Sequence, residues 1–226
     1  MSTDRSIHRA AVADRSGASS EVAALILAAG LGSRFKDGGG EGTKVLAPVR
    51  GRPIIAHVVG RAIDAGLSPV VVVIGPMPSA GPEIEDLLGG MGVRLVVNDR
   101  PEAGIGESLA RGLDALLPSL EAAACMVLLG DQPDVDPEVI ASVRAAWAHS
   151  GRPARASYRD GVSHPVLLPR STWPELISRS AGTDSGARRL LDTVGAIEVE
   201  VDAVAPVDVD VPADLGRLLR DPGRGA

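Results

Sequence analysis

The chain has 226 residues, 45% of them apolar, and a formal net charge of −6. One substantial α/β core fits that length, so a single domain is expected over residues 21–220, between a disordered tail (1–20) and a short C-terminal tail (221–226). The acidic balance and only four aromatic residues (Phe35, Trp147, Tyr158, Trp173) speak against nucleic acid as a partner. The sequence has no apolar run long enough for a membrane span, and residues 1–20 lack the apolar stretch of a signal peptide. A lone cysteine, Cys125, excludes disulfides and a cysteine metal site within one chain. A cytoplasmic protein is expected.

Residues 22–29 form a continuous apolar run of strand length, as expected for a parallel strand covered on both faces. It ends in Leu27-Ala28-Ala29-Gly30, followed by Gly32, Ser33 and Arg34 and later by Lys44. Glycines let backbone N–H groups approach a ligand. Arg34 and Lys44 offer a planar fork and a mobile point charge to a polyphosphate. A dinucleotide fingerprint would need a third glycine where Phe35 stands, and a P-loop would need Gly-Lys-Ser/Thr where the order here is Gly42-Thr43-Lys44. A plain glycine-rich turn with solvated cations is the bland alternative. Residues 34–52 carry five cations (Arg34, Lys36, Lys44, Arg50, Arg52) against Asp37 and Glu41, which favours a focused anion site.

Residues 52–63 read as a helix with Pro53 in its first turn, and His57 within it as a core or interface histidine. The β-branched run 70–74 reads as a second strand, 81–90 as a short helix and 93–97 as a third strand. That strand runs into a loop containing Asn98, Gly104 and Gly106, then Ser108. In an open α/β sheet such a loop lies at the ligand-binding edge, so Ser108 either meets a base edge or caps the next helix. Residues 122–129 form a fourth strand ending in Gly130-Asp131-Gln132-Pro133, where Asp131 is either a turn former or a magnesium ligand. Asp136 is expected to cap the helix that follows.

A hairpin over 156–168, turning at Asp160-Gly161, carries Ser163-His164-Pro165. Residues 182–191 read as a helix capped by Asp184, with Gly186 and Arg188 in its first turns. In 206–215, alternation sets Asp208 and Asp210 on one face, where they repel unless a cation lies near. Asp214 reads as a first-turn helix acid. Alternating strands and helices with short joints predict a three-layer α/β/α, Rossmann-like fold on a mostly parallel sheet.

Leu27-Ala28-Ala29-Gly30 with Gly32-Ser33-Arg34 and Lys44, the Gly130-Asp131-Gln132-Pro133 unit and the paired aspartates near the C-terminus resemble the nucleotidyltransferases that include molybdenum cofactor cytidylyltransferase. The resemblance spans roughly residues 22–219. It implies the nucleotidyltransferase fold and transfer of a nucleoside monophosphate, most simply CMP from CTP, onto the phosphate of molybdopterin or its metal-loaded form. It further implies Mg²⁺ on Asp131 and on Asp208 or Asp210, with Asp208 the first choice. Arg34 and Lys44 would hold phosphates, with Lys36 a competitor because the 34–44 loop is longer than the family's. Leu27 to Gly30, Gly32, Ser33, Asn98, Gly104 and Ser108 would contact the nucleotide. Gln132, His164, Pro165, Asp184, Gly186 and Arg188 would border the acceptor.

Ala29, in place of a second glycine, implies a pyrimidine. Ser163 and Val211 depart from the family's glycine and threonine. Implied partners are the cofactor and a molybdenum hydroxylase or its maturation chaperone, around a monomer or weak dimer. Three other readings stay open: a sugar- or polyol-phosphate nucleotidyltransferase, an NADPH-dependent enzyme similar to nicotine blue oxidoreductase, and a non-catalytic nucleotide-binding chaperone.

Overall fold

The computed structural model describes residues 21–76, 81–180 and 195–220. The expected tails, and the Asp184, Gly186 and Arg188 segment, lie outside the described residues.

A seven-stranded sheet organises the chain. Its strands are β1 (Glu21–Ala28), β4 (Val70–Ile74), β5 (Arg94–Val97), β6 (Ala122–Leu129), β7 (Ala154–Tyr158), β8 (Gly161–Pro169) and β9 (Ile197–Glu200). They lie in the order β5-β4-β1-β6-β8-β7-β9. β1 pairs in parallel with β4 on one side and β6 on the other, and β4 with β5. β8 runs against both its neighbours, while β9 is parallel to β7. β2 (Pro48–Val49) and β3 (Arg52–Pro53) form a small separate ribbon.

The two-residue alternation along β1 creates the three layers. Val22, Ala24, Ile26 and Ala28 face one way, toward Ile55, Val58 and Val59 of α2 (Ile54–Asp64), Ile84 and Leu88 of α3 (Gly81–Leu88) and Val139, Ile140 and Val143 of α5 (Pro137–Ser150). Ala23, Leu25, Leu27 and Ala29 face the other way. There they meet Leu109, Leu113 and Leu116 of α4 (Ile105–Leu116) and Trp173 and Leu176 of α6 (Trp173–Ser180). Both faces of β1 are therefore dry, which is why it reads as an unbroken apolar run.

A smaller cluster, Phe35, Ala47, Val49, Ile54, Val209 and Leu218, joins α1 (Ser33–Asp37), the β2–β3 ribbon, the start of α2 and α7 (Pro212–Arg220) to one another. Among the described residues no helix is long and apolar enough to cross a membrane.

Three local expectations are adjusted. The helix after the glycine loop begins at Ile54, two residues late, because Arg52 and Pro53 pair with Val49 and Pro48. The β7–β8 hairpin turns at Arg159-Asp160, since Gly161 already pairs with Tyr158. The 206–210 segment forms no strand and joins no sheet. Asp136 caps α5 as expected, its Oδ1 accepting from Glu138 N at 2.8 Å.

Candidate active site

Strand order reverses between β4–β1 and β1–β6, and ligands of open sheets settle in the crevice outside the carboxyl ends at such a point. A cleft of about 170 Å³ lies there, lined by Leu27, Ala28, Ala29, Gly30, Lys44, Val45, Pro101, Gly104, Ile105, Ser108, Leu129 and Asp131. Its floor is the end of β1, one wall is the start of α4, and the opposite wall is Lys44 with Asp131.

Gly130 explains how Asp131 reaches the cleft. Its N–H donates to Leu27 O at 2.9 Å, drawing the end of β6 against β1. A Cβ at Gly130 would stand 2.7 Å from Ala28 Cβ, closer than real contacts, and 3.1 Å from Leu27 O, tighter than most. Asp131 then projects over the cleft, where Lys44 Nζ donates to its Oδ2 at 2.5 Å.

Lys44 arrives from the longer loop. Gly32 opens that loop in the left-handed region, at φ 61°, a conformation glycine adopts without strain. Gly40 then packs flat on the ring of buried Phe35, whose Cδ1 would lie 2.3 Å from an added Cβ. The chain therefore doubles back, and Lys44, its side chain only 11% exposed, enters the site. Lys36 stays exposed on α1. Of the five cations counted over 34–52, two reach the site. Arg50 instead forms a two-pronged pair with Asp134, at 2.6 and 3.0 Å, and Arg52 bonds Ala56 O at 3.3 Å.

The terminal aspartates come in on an anchored segment. Val209 is fully buried and donates its N–H to Asp131 O at 3.1 Å. Its neighbours consequently point the other way, toward the site. Asp210 Oδ1 accepts from Lys44 Nζ at 3.5 Å and its Oδ2 pairs with Arg34 Nη1 at 2.8 Å. Asp208 Oδ1 accepts from Gln132 Nε2 at 2.8 Å.

Burial of its carboxyl, then the charges of Asp131 and Asp210, raise the Asp208 pKa above the ordinary carboxylate range against the Gln132 hydrogen bond and Lys44. Asp214, expected as a helix acid, fills that role. Its Oδ2 accepts from Asp210 N at 3.0 Å and Val211 N at 2.9 Å, so it also fixes where Asp210 stands.

On the opposite wall, Ser108 sits in the fourth position of α4, and Gly104, not Ser108, occupies the cap. Its Oγ accepts from Asn98 Nδ2 at 2.9 Å, and Asn98 Oδ1 is held by Arg100 N at 2.9 Å. The capping alternative is thereby removed. The serine hydroxyl keeps its proton as a donor at the cleft.

Sequence reasoning missed Glu107, one residue earlier and 4% exposed. Its Oε1 takes Arg100 at 2.9 Å and Arg111 at 3.1 Å. The Arg100 hydrogen bond, against burial and with Arg111, lowers its pKa. It clamps the 98–104 loop. The only sequence signal was an acid at a core-facing position of an amphipathic helix flanked by two arginines.

Toward the acceptor side, His164 precedes Val166, which lies opposite Val127 of β6, so it stands at the same sheet edge as Asp131. Tyr158 Oη donates to His164 O at 3.0 Å. Gln132, expected against the acceptor, is buried and donates to Asp208. Ser33 is exposed at the start of α1 and does not line the cleft.

Among the described residues no three His, Cys, Asp or Glu side chains form a ready metal cage. Two carboxylates, Asp131 and Asp210, converge instead on one ammonium. That donor set suits magnesium, a hard ion usually held by one or two carboxylates with water and phosphate oxygens, and not a closed zinc site.

Fold and site together define a nucleotidyltransferase-type domain: a cleft at the sheet's switch point, with two cations and two acids converging at its mouth. Residues 24–200 match the MobA-like NTP transferase domain, and the chain belongs to that family. It is 34% identical over 138 residues to the bifunctional protein GlmU of Symbiobacterium thermophilum, covering 61% of this chain and 27% of that protein. It is 42% identical over 84 residues to the CMP-5'-(3-aminopropyl)phosphonate synthase of Streptomyces rubellomurinus, covering 35% and 13%. The chain thus spans under a third of the length of either relative.

Among solved structures it is similar to Rv0371c of Mycobacterium tuberculosis, with 27% identity, a TM-score of 0.76, and 89% of this chain and 98% of that one covered. The manganese complex of Rv0371c superposes with a TM-score of 0.71 at 26% identity, over 88% of this chain and 98% of that one.

Proposed function

We propose that this chain transfers CMP from CTP to a phosphate-bearing acceptor, releasing pyrophosphate, and that the acceptor is molybdopterin or its metal-loaded form. One observation carries the transferase reading: Lys44 bridges Asp131 and Asp210 beside Arg34 at the mouth of a cleft whose other wall presents the Ser108 hydroxyl. The cytidine preference rests on Ala29, buried in the cleft wall where its methyl narrows the space for a purine. It also rests on similarity to a synthase whose name carries a CMP product.

In-line displacement at phosphorus calls for positioning and charge neutralisation more than for covalent help. Arg34 and Lys44 hold the departing phosphates. Ser108, set by Asn98, orients the base. Asp131 and Asp210 are the residues that would hold Mg²⁺, which when bound neutralises charge spreading over the phosphate oxygens. The manganese complex of Rv0371c supports a divalent ion here. His164, on the same edge, faces the acceptor and positions it.

A second reading is the same chemistry on a sugar phosphate, which the Leu27-Ala28-Ala29-Gly30 opening suits equally. Pyrophosphate release measured with CTP, UTP, dTTP and GTP, against molybdopterin and a set of sugar phosphates, separates the two. Fastest turnover with CTP and molybdopterin supports the first. Turnover confined to UTP or dTTP with a sugar phosphate installs the second. Asp131→Asn should lower kcat by at least about 10²-fold with the fold intact, the scale seen when one transition-state electrostatic contact is removed. Near-normal magnesium-dependent turnover in that variant removes Asp131 from the mechanism.

A further inference from the structure

Every charged group that the proposed reaction uses at the phosphates is already paired. Lys44 lies on Asp131 at 2.5 Å and on Asp210 at 3.5 Å, and Arg34 lies on the other oxygen of Asp210 at 2.8 Å. The cations that would meet a triphosphate are thus parked on the carboxylates that would meet a metal. We infer that Lys44 is a counter-ion latch, and that the site admits the metal–triphosphate complex as one unit while resisting either component alone. The inference deepens the proposed function and rests on it for the identity of the nucleotide.

Binding at this site is an exchange of partners. A triphosphate arriving alone must strip Lys44 and Arg34 from Asp131 and Asp210, leaving two carboxylates uncompensated beside its own negative charge. A divalent cation arriving alone must displace Lys44, whose side chain is only 11% exposed, and strand its ammonium. Breaking a poorly solvated pair by removing one partner is strongly unfavourable because the other charge stays behind. When both arrive together, the carboxylates turn to the metal as Lys44 and Arg34 turn to the phosphates, so no charge is left unpartnered.

The two pairs are unequal. Arg34 is 74% exposed, so water screens its share and its pair is weak. Lys44 is the latch proper. Asp214 supports it by holding the Asp210 backbone through two N–H bonds. Linkage makes the effect reciprocal: metal and triphosphate each raise the other's affinity by one common factor, ordinarily about 5–150-fold.

The test is a Mn²⁺ titration followed by loss of the free-ion EPR signal, without nucleotide and with saturating CTP. Wild type is compared with Lys44→Met, which keeps the methylene packing and removes the charge. Wild type should bind Mn²⁺ alone weakly and at least about tenfold more tightly with CTP. Lys44→Met should bind Mn²⁺ alone at least about tenfold more tightly than wild type, with the CTP effect largely gone.

Arg34→Gln, at an exposed position, is the second variant should Lys44→Met fold poorly. It should tighten Mn²⁺ alone by a smaller factor, about two- to threefold. Unchanged or weaker binding of Mn²⁺ alone in Lys44→Met, or in Arg34→Gln where that variant replaces it, overturns the latch. So does a wild-type Mn²⁺ affinity indifferent to a triphosphate that binds. If no triphosphate binds under any condition, the transferase reading fails while the nucleotide-free comparison still decides the latch.

Discussion

Asp208 and Asp131 sit within one residue-scale circuit, yet their environments differ. Asp131 has an ammonium on it, whereas Asp208 is bonded to the Gln132 amide and feels two like charges, with Lys44 only a weaker, longer-range influence. A carboxyl whose folded pKa is raised above its unfolded value stabilises the fold below the unfolded value and loses that contribution as pH rises through the folded one. Asp208→Asn keeps the Gln132 hydrogen bond and removes the charge. Its Tm should therefore exceed wild type by a few degrees at pH 7, a modest gain because solvent screens a partly exposed group. The gain should vanish below pH 3.8, the ordinary value. A Tm difference independent of pH contradicts the assignment.

Glu107 carries the opposite sign. Arg100 lowers its pKa, so its contribution is present above its ordinary value of 4.5 and is lost as pH falls through the folded one. Glu107→Gln should cost stability at pH 7 and nothing in strong acid, as read by thermal unfolding across pH. Single residues also mark where the sequence was readable. Asp131 stood out through the resemblance of its Gly-Asp-Gln-Pro unit, and Lys44 only alongside Lys36. The order of Asp210 ahead of Asp208 at Lys44 did not, because two acids on one face differ only in what the distant lysine reaches.

At the scale of elements, β1 and β6 are held close at their carboxyl ends by the bare Gly130, and this closeness delivers Asp131 to the cleft. Gly130→Ala forces a Cβ within 2.7 Å of Ala28 and against backbone that cannot rotate away. We expect a loss of about 1–3 kcal/mol, the usual scale of overpacking, measured by denaturant unfolding, with a fall in turnover because Asp131 moves. Wild-type stability and activity together would show that the strand ends are not held by this contact. The 206–210 segment teaches a complementary lesson. Its alternation was visible as Asp-Val-Asp, and the faces came out as alternation requires, but nothing local said that Val209 would bury against Phe35 and Val49 and not in the sheet.

Across the whole molecule, the cleft draws on segments far apart in the chain: the β1 end, Lys44, the α4 start, Asp131 and Asp210. Ligand binding should therefore stabilise the whole fold. At 100 times its dissociation constant a ligand adds about 2.7 kcal/mol, a Tm rise of about 5–11 °C for a chain of this size. Differential scanning fluorimetry with CTP and Mg²⁺ together should show it, with much smaller shifts from either alone. A shift with NADPH indifferent to magnesium would replace the transferase reading with the oxidoreductase one.

The sequence by itself determined the layers and the chemistry on offer. Doubly buried strands leave unbroken apolar runs, two-residue and 3.6-residue periods assign faces, and the glycine loop, Gly-Asp-Gln-Pro and paired aspartates name the groups available. Only the tertiary structure decided which of those groups meet. It chose Lys44 over Lys36 by folding Gly40 onto Phe35, sent Arg50 to Asp134, and turned Gln132 inward to Asp208. The first is a loop contact that no helix or strand period encodes, and the other two join residues 84 and 76 positions apart, whose meeting local patterns cannot report.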